Sequence, residues 1–412
     1  MSLDLYRGVG LALGHDGRVP PRPVQETDGT CGTAALAART RRARQAGMTD
    51  LPPLGHGGRL TIDLAALRAN WRRLSHKAQC PETAAVIKAD AYGCGIAEAG
   101  PALWREGCRT FFVAHLSEGV RARAALPEAA IYVLNGFPPG SAPAYREADL
   151  RPVLGSREEV AEWAAANRAE GTTRPAALHV DTGMNRLGLS VAEGLALAGD
   201  PVVAQAGIDL LMSHLVSAEV EHDPLTDHQA AEFARVRAAY PGIRASLANS
   251  SGDFLASCRA DLARPGYALY GGNPRPGHDN PMRPVVRLEA TILQVREVAA
   301  GETAGYNARW TASGQRRLAT LSLGYADGFP RASTGRGEAV VGGVRCPFVG
   351  NVSMDLIILD VTGAPAEAAV RGAPATLIGD GLDLDTVGRH AGTIGYEILT
   401  GLGRRYARVY RD

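Results

Sequence analysis

The chain has 412 residues, 45% of them hydrophobic, a length that predicts two domains with separate cores. Its 44 basic and 43 acidic residues leave a formal charge of +1, which offers nothing to a nucleic acid or an anionic membrane surface. No run of about 18 apolar residues is present to cross a membrane. The six cysteines, at 31, 80, 94, 108, 258 and 346, lack the paired spacing of a zinc site and read as reduced thiols of a cytoplasmic protein.

Residues 1–58 show no sustained period and carry a basic cluster from Arg39 to Arg44. They predict a poorly ordered extension, and the apolar stretch at 9–13 is too short for the core of a secretory signal. Regular patterning starts at Arg59, with a strand at 60–63 and an amphipathic helix at 64–74. Short apolar strands then recur at 84–88, 111–114, 131–134, 152–154, 177–180, 210–213 and 244–247, with helical stretches such as 156–168 and 226–240 between them. That alternation predicts parallel strands with right-handed crossovers, and its length suits a (β/α)8 TIM barrel over residues 59–283. From 284 to 412 strand-like runs dominate, at 285–298, 317–323, 339–341, 356–361 and 375–378. This part predicts a β-rich C-terminal domain ending in an amphipathic helix around 396–406. Asp380, Asp383 and Asp385 lack the spacing of a calcium loop and predict turn and helix-capping roles, so no metal is expected.

Lys88 is one of only two lysines, the other being Lys77, and it sits between an apolar run and a small-residue turn. Arginine keeps its proton at any working pH, whereas a buried lysine can release its own and attack a carbonyl. Functional residues of such a barrel gather at the C-terminal ends of its strands. Lys88, Tyr92, Arg186, His214, Ser250 and Arg264 all fall at such ends. An amine, two guanidiniums, an imidazole and hydroxyls at one mouth suit an anionic, phosphorylated aldehyde cofactor.

These residues lie in Val86-Ile-Lys-Ala-Asp-Ala-Tyr92-Gly-Cys-Gly, Asp181-Thr-Gly-Met-Asn-Arg-Leu-Gly188, Met212-Ser-His214, Ala248-Asn-Ser250 and Arg264-Pro-Gly-Tyr-Ala-Leu-Tyr-Gly271. Further on come Gly305-Tyr306-Asn, Gly324-Tyr-Ala-Asp-Gly328, Gly350-Asn-Val-Ser-Met-Asp355 and Ile394-Gly-Tyr396-Glu. In this order, from Arg59 to the C-terminus, the chain resembles the alanine racemase family of fold-type III pyridoxal phosphate enzymes.

The resemblance implies pyridoxal 5'-phosphate as cofactor and Lys88 as its Schiff-base lysine. It also implies a homodimer in which Lys88 works on one face of the cofactor and Tyr306 of the other subunit on the opposite face. A phenol is a poor base at neutral pH, so His214, linked towards Arg264, is expected to assist Tyr306. By the same likeness Arg264 faces the pyridine nitrogen, where a guanidinium donates a hydrogen bond without giving up a proton. The phosphate would be held by Tyr92, Ser250, the Gly266 amide and Tyr396. Arg186 would lie near the cofactor's phenolic oxygen and the substrate carboxylate, with Tyr325, Met354 and Asp355 lining the substrate's approach. The implied activity is interconversion of L- and D-alanine, which serves either D-alanine biosynthesis or alanine degradation.

The chain departs from the family pattern at His179, where a lysine, often carbamylated, usually steadies the arginine seven residues on. Asp90, Cys94 and Ser353 stand where asparagine, histidine and cysteine are common. A racemase of serine or lysine, a fold-related decarboxylase and a non-catalytic carrier of the cofactor are the other readings. Met354 and Tyr325 suggest a confined pocket, Arg264 opposes the decarboxylase, and a carrier has no use for the second domain.

Overall fold

The structure, a computed structural model, describes residues 55–412. The extension expected over residues 1–58 lies outside the described residues but for its last four.

The apolar runs become parallel strands because both of their faces are covered. All four residues of Thr110–Val113 are buried, as are three of the four in Ala130–Val133 and in Arg151–Leu154. Ala85–Val86, Thr110–Val113, Ala130–Val133, Arg151–Leu154, Ala176–Asp181, Ile208–Met212 and Arg244–Ser246 lie side by side in that order. Phe111 is opposite Ala85 and Ile131, and Leu178 is opposite Leu154 and Leu211. The result is a parallel half-barrel. Beyond its ends, Leu262–Ala263 pairs in parallel with Glu82–Thr83, and the Asp261 amide donates to the Ala245 carbonyl at 2.9 Å.

Helices start where the preceding side chain can accept an orphan amide. Asp63 does so for Leu64–Ala78, Ser156 for Arg157–Ala169, Ser190 for Val191–Leu197 and Asp223 for Pro224–Ala238.

In the second region six strands close on themselves. Val286–Val298, Arg316–Leu321, Ile357–Asp360, Val344–Val349, Glu338–Val341 and Pro374–Ile378 pair antiparallel in that order, and the last returns to the first. The 13-residue strand Val286–Val298 serves three neighbours along its length, and its register against Arg316–Leu321 shifts between Ile292 and Gln294. The first strand of the described chain, Gly58–Asp63, also joins this sheet. It runs antiparallel to Val286–Val298, with Leu60 opposite Leu288, and parallel to Ala407–Arg411, with Thr61 opposite Val409. One apolar core passes through both regions, taking in Leu60, Phe111, Leu178, Leu288 and Tyr406.

The helix expected around 396–406 is shorter than its pattern suggested. It spans Gly395–Thr400, and the chain then turns through Gly401 and Gly403 into the strand Ala407–Arg411. Gly403 has no room for a side chain, since a Cβ there would lie 2.5 Å from the Asp327 carbonyl oxygen. The strand Val344–Val349 and the helix Leu384–Ala391 had no counterpart in the sequence reading. Asp383 caps that helix, accepting the Thr386 amide at 2.7 Å, while Asp380 pairs with Arg287 and Asp385 accepts the Tyr267 hydroxyl at 2.7 Å. Among the described residues no helix is long and apolar enough to cross a membrane.

Candidate active site

Lys88 follows directly on the strand Ala85–Val86. The Ile87 amide donates to the Phe112 carbonyl at 2.8 Å, and the Tyr270 hydroxyl donates to the Val86 carbonyl at 3.0 Å, so the backbone before Lys88 is tied down. Beyond it, Ala89, Asp90, Ala91 and Tyr92 all have φ between 52° and 54°. Four consecutive left-handed residues without a glycine cost roughly 1–2 kcal/mol each, so the surroundings must hold them. Asp90 accepts the Ile96 amide at 3.1 Å, Arg408 donates to the Gly93 carbonyl at 2.6 Å, and Glu118 accepts the Ala89 amide at 2.7 Å.

The Lys88 side chain faces a cavity of about 300 Å³, shared with Leu134, Asn135, His179, Arg186, Leu187, Met212 and His214. Its charges are of one sign. Burial, then Arg186, lowers the Lys88 ammonium below its ordinary value, with Glu118 opposing. Burial, then Arg264, Arg186 and Lys88, pushes the His214 imidazole down to about 3. Burial and Arg264 push His179 down to about 4. Both imidazoles are therefore neutral at physiological pH, and the lysine amine is more readily freed.

Arg186 is carried by a loop that Asp181 shapes, its carboxylate accepting the amides of Gly183 at 2.8 Å, Met184 at 2.7 Å and Arg186 at 3.1 Å. Arg264 is buried, and its guanidinium donates to Ser246 Oγ and, at 2.5 Å, to the carbonyl of Ser213, the residue before His214. These partners are neutral, and burial lowers this guanidinium to about 10, with Asp253 opposing.

A second cluster adjoins the first through the same turns. Ser250 Oγ accepts the amides of Gly266 at 2.9 Å and Ala268 at 3.2 Å. A Cβ on Gly266 would lie 2.5 Å from the Tyr92 hydroxyl, so only glycine permits this approach. Tyr92 stacks on Tyr270 at 4.7 Å, and Tyr396, 6.3 Å from Tyr92, stacks on Tyr267 at 3.9 Å. Burial keeps both phenols protonated, raising Tyr396 to about 12 and Tyr92 higher still.

Lys88, Tyr92, Arg186, His214, Ser250, Arg264, Gly266 and Tyr396 thus come together as the sequence suggests. Of the second domain's site residues only Tyr396 joins them; Tyr306, Tyr325, Met354 and Asp355 do not within one chain. Tyr306 is 72% exposed and lines a separate cleft of about 550 Å³ with Asn351 and Ser353. Met354 is 54% and Tyr325 40% exposed. These three lie on linked loops: Tyr325 N–H donates to the Ser353 carbonyl at 3.0 Å, Ala326 N–H to that of Met354 at 2.9 Å, and Asn351 Nδ2 to that of Tyr306 at 3.3 Å. Asp355 is turned to Arg405 at 2.8 Å. Sequence reasoning gave no role to Leu134, Asn135 or Glu118, and named Leu187 and Met212 only within motifs. Glu118 carried a usable signal, a glutamate three residues after a helix-capping position that follows a buried strand.

The family description "Alanine racemase, N-terminal domain" matches residues 62–274, and "Alanine racemase, C-terminal domain" matches 285–410. The chain belongs to the alanine racemase family. It is 72% identical over 358 residues to an alanine racemase of Methylobacterium sp. (strain 4-46), covering 87% of this chain and 98% of that one. It is also 72% identical over 356 residues to one from Methylobacterium nodulans, covering 86% of this chain and 96% of the relative. Among solved structures it is similar to alanine racemase from Bartonella henselae with covalently bound pyridoxal phosphate. The TM-score is 0.82 and the identity 39%, covering 86% of this chain and 99% of that one. The two alanine racemase domains meet between residues 274 and 285, where the chain leaves the parallel region for Val286–Val298.

Proposed function

We propose that the chain is a pyridoxal phosphate-dependent racemase that interconverts L- and D-alanine. The observation carrying this is Lys88, its ammonium lowered, facing a cavity with Arg186 and His214 beside a cradle of hydroxyls and amides. The residues fit the cofactor. Ser250, Gly266, Tyr92 and Tyr396 present protonated hydroxyls and an amide where no Cβ is tolerated, as a phosphate requires. When bound, the cofactor supplies an electron sink for the pair left at Cα once its proton departs.

The chain's own groups do the rest. Lys88 anchors the cofactor and holds or returns the α-proton on one face. Tyr306 of a second copy does the same on the other, and its exposure leaves it free to reach there. His214, kept neutral, accepts a hydrogen bond from that phenol and is steadied by Arg264, which donates to the neighbouring Ser213 carbonyl. Arg264 would donate a hydrogen bond to the ring nitrogen without giving up its proton. Arg186 orients the substrate carboxylate, and Tyr325, Met354 and Asp355 of the second copy narrow the entrance. The active form is a homodimer, and its substrate is alanine.

The parallel half-barrel belongs, on this reading, to a (β/α)8 barrel. Closure is supported by the pairing of Leu262–Ala263 with Glu82–Thr83 and by the Asp261–Ala245 bond. The barrel domain covers residues 59–283 and the β domain 284–412, with Gly58–Asp63 lent to the latter's sheet.

Chiral chromatography tests the activity. Protein loaded with pyridoxal phosphate should bring L-alanine to a near-equal mixture far faster than L-serine or L-lysine. Faster turnover of serine or lysine would move the substrate assignment, and no turnover of any of them would refute the racemase. Light scattering should find two copies per particle.

A further inference from the structure

The Glu118 carboxylate lies between the strand end that carries Lys88 and the strand beside it. Oε1 accepts the Ala89 amide at 2.7 Å, and Oε2 accepts those of Ala114 at 2.8 Å and His115 at 3.3 Å. Glu118 is 7% exposed and sits in the first turn of the helix Leu116–Ala125. Main-chain pairing of these two strands ends with the bond from Ile87 to Phe112, so the carboxylate extends the ladder past Lys88 by side chain. It does so where the backbone enters its left-handed turn, and Ala89 is the first residue of that turn. A buried anion saturated by three amides is a rigid fixture.

We infer that Glu118 is a positioning residue for Lys88, fixing the turn that aims its amine and holding a carboxylate on the backbone of the next residue. The inference rests on the reading of Lys88 as the cofactor-anchoring lysine. The other charged group acting on Lys88 is Arg186, beyond the strand Ala176–Asp181, while the neutral imidazoles of His179 and His214 share its cavity. Arg186 adds to the positive field, and Glu118 alone among these groups opposes it.

The test is the rate at which the full-length, cofactor-stripped chain takes up pyridoxal phosphate covalently, followed by absorbance across pH. Borohydride trapping and peptide mass locate the attachment. The amine attacks the aldehyde carbon and one water leaves, so the rate rises with pH as the ammonium gives up its proton. Glu118→Gln should lower the midpoint by about half a pH unit or more and reduce the plateau rate several-fold. Glu118→Asp keeps the charge but draws it back, so its midpoint should stay near wild type while its plateau falls.

A Glu118→Gln midpoint equal to wild type, or a Glu118→Asp midpoint that drops as far, overturns the inference. If Glu118→Gln does not fold, a Glu118→Asp rate equal to wild type at every pH overturns it as well. Trapping at a residue other than Lys88 in the wild type would instead overturn the reading beneath it.

Discussion

His214 should make the folded protein sensitive to mild acid. Burial, reinforced by Arg264, Arg186 and Lys88, holds its imidazole at about 3 against an ordinary 6.5. Between those values the unfolded chain binds a proton that the folded chain refuses, so stability falls as pH falls. The slope is about 1.4 kcal/mol per pH unit, and integration from about pH 7.5 to about pH 5 gives a loss of about 2 kcal/mol from this one group. His179, held at about 4 by burial and Arg264, adds a loss of the same sign. Asp253 works the other way, because burial raises its carboxyl and its share of stability is lost as pH rises. Urea unfolding of wild type and His214→Asn at matched pH cancels the other two to first order. The variant should gain on the wild type by about 2 kcal/mol between about pH 7.5 and about pH 5. A gap constant across that range would refute the buried neutral imidazole.

Four further outcomes are expected. Lys88→Arg keeps the charge but loses the attacking amine, so borohydride-trapped cofactor should vanish and racemisation should fall by at least about 10²–10⁴. Tyr306→Phe should lower kcat by a factor of about 10²–10⁴. It should also abolish α-proton exchange with deuterated solvent from one enantiomer while sparing the other. Gly266→Ala places a methyl 2.5 Å from the Tyr92 hydroxyl and should weaken cofactor retention at least about tenfold in equilibrium dialysis. Asp253 is buried with neither carboxyl oxygen hydrogen-bonded. Asp253→Asn should therefore raise the unfolding free energy read from urea titration near pH 8 by about 1–3 kcal/mol, with a smaller gain near pH 4.

The parallel strands were legible because burial on both faces leaves a continuous apolar run, as in Thr110-Phe-Phe-Val113. The cluster around Lys88 was legible through side-chain chemistry at strand ends. Other features had no local signature. Nothing in Gly58–Asp63 says that its partners are residues 286–290 and 407–411, since strand pairing depends on distant sequence. The stretch 396–406 carries helical spacing, yet Ala407–Arg411 beyond it is claimed by the first strand. The turn Ala89-Asp-Ala-Tyr92 is built from residues that favour right-handed backbone, so its hand is imposed by tertiary contacts. Glu118 could be read from its helix-start position, but its bond to Ala89 could not, because that bond exists only once the turn is formed.

The parallel pairing of Gly58–Asp63 with Ala407–Arg411 has a consequence during synthesis. A nascent chain can assemble its parallel region as it emerges, but Gly58–Asp63 must wait for residues 407–411 before that pairing completes. Until those residues emerge it presents an unpaired edge to neighbouring chains on the same message. Truncation that removes residues 407–411 should harm folding yield more than equal changes elsewhere on the surface.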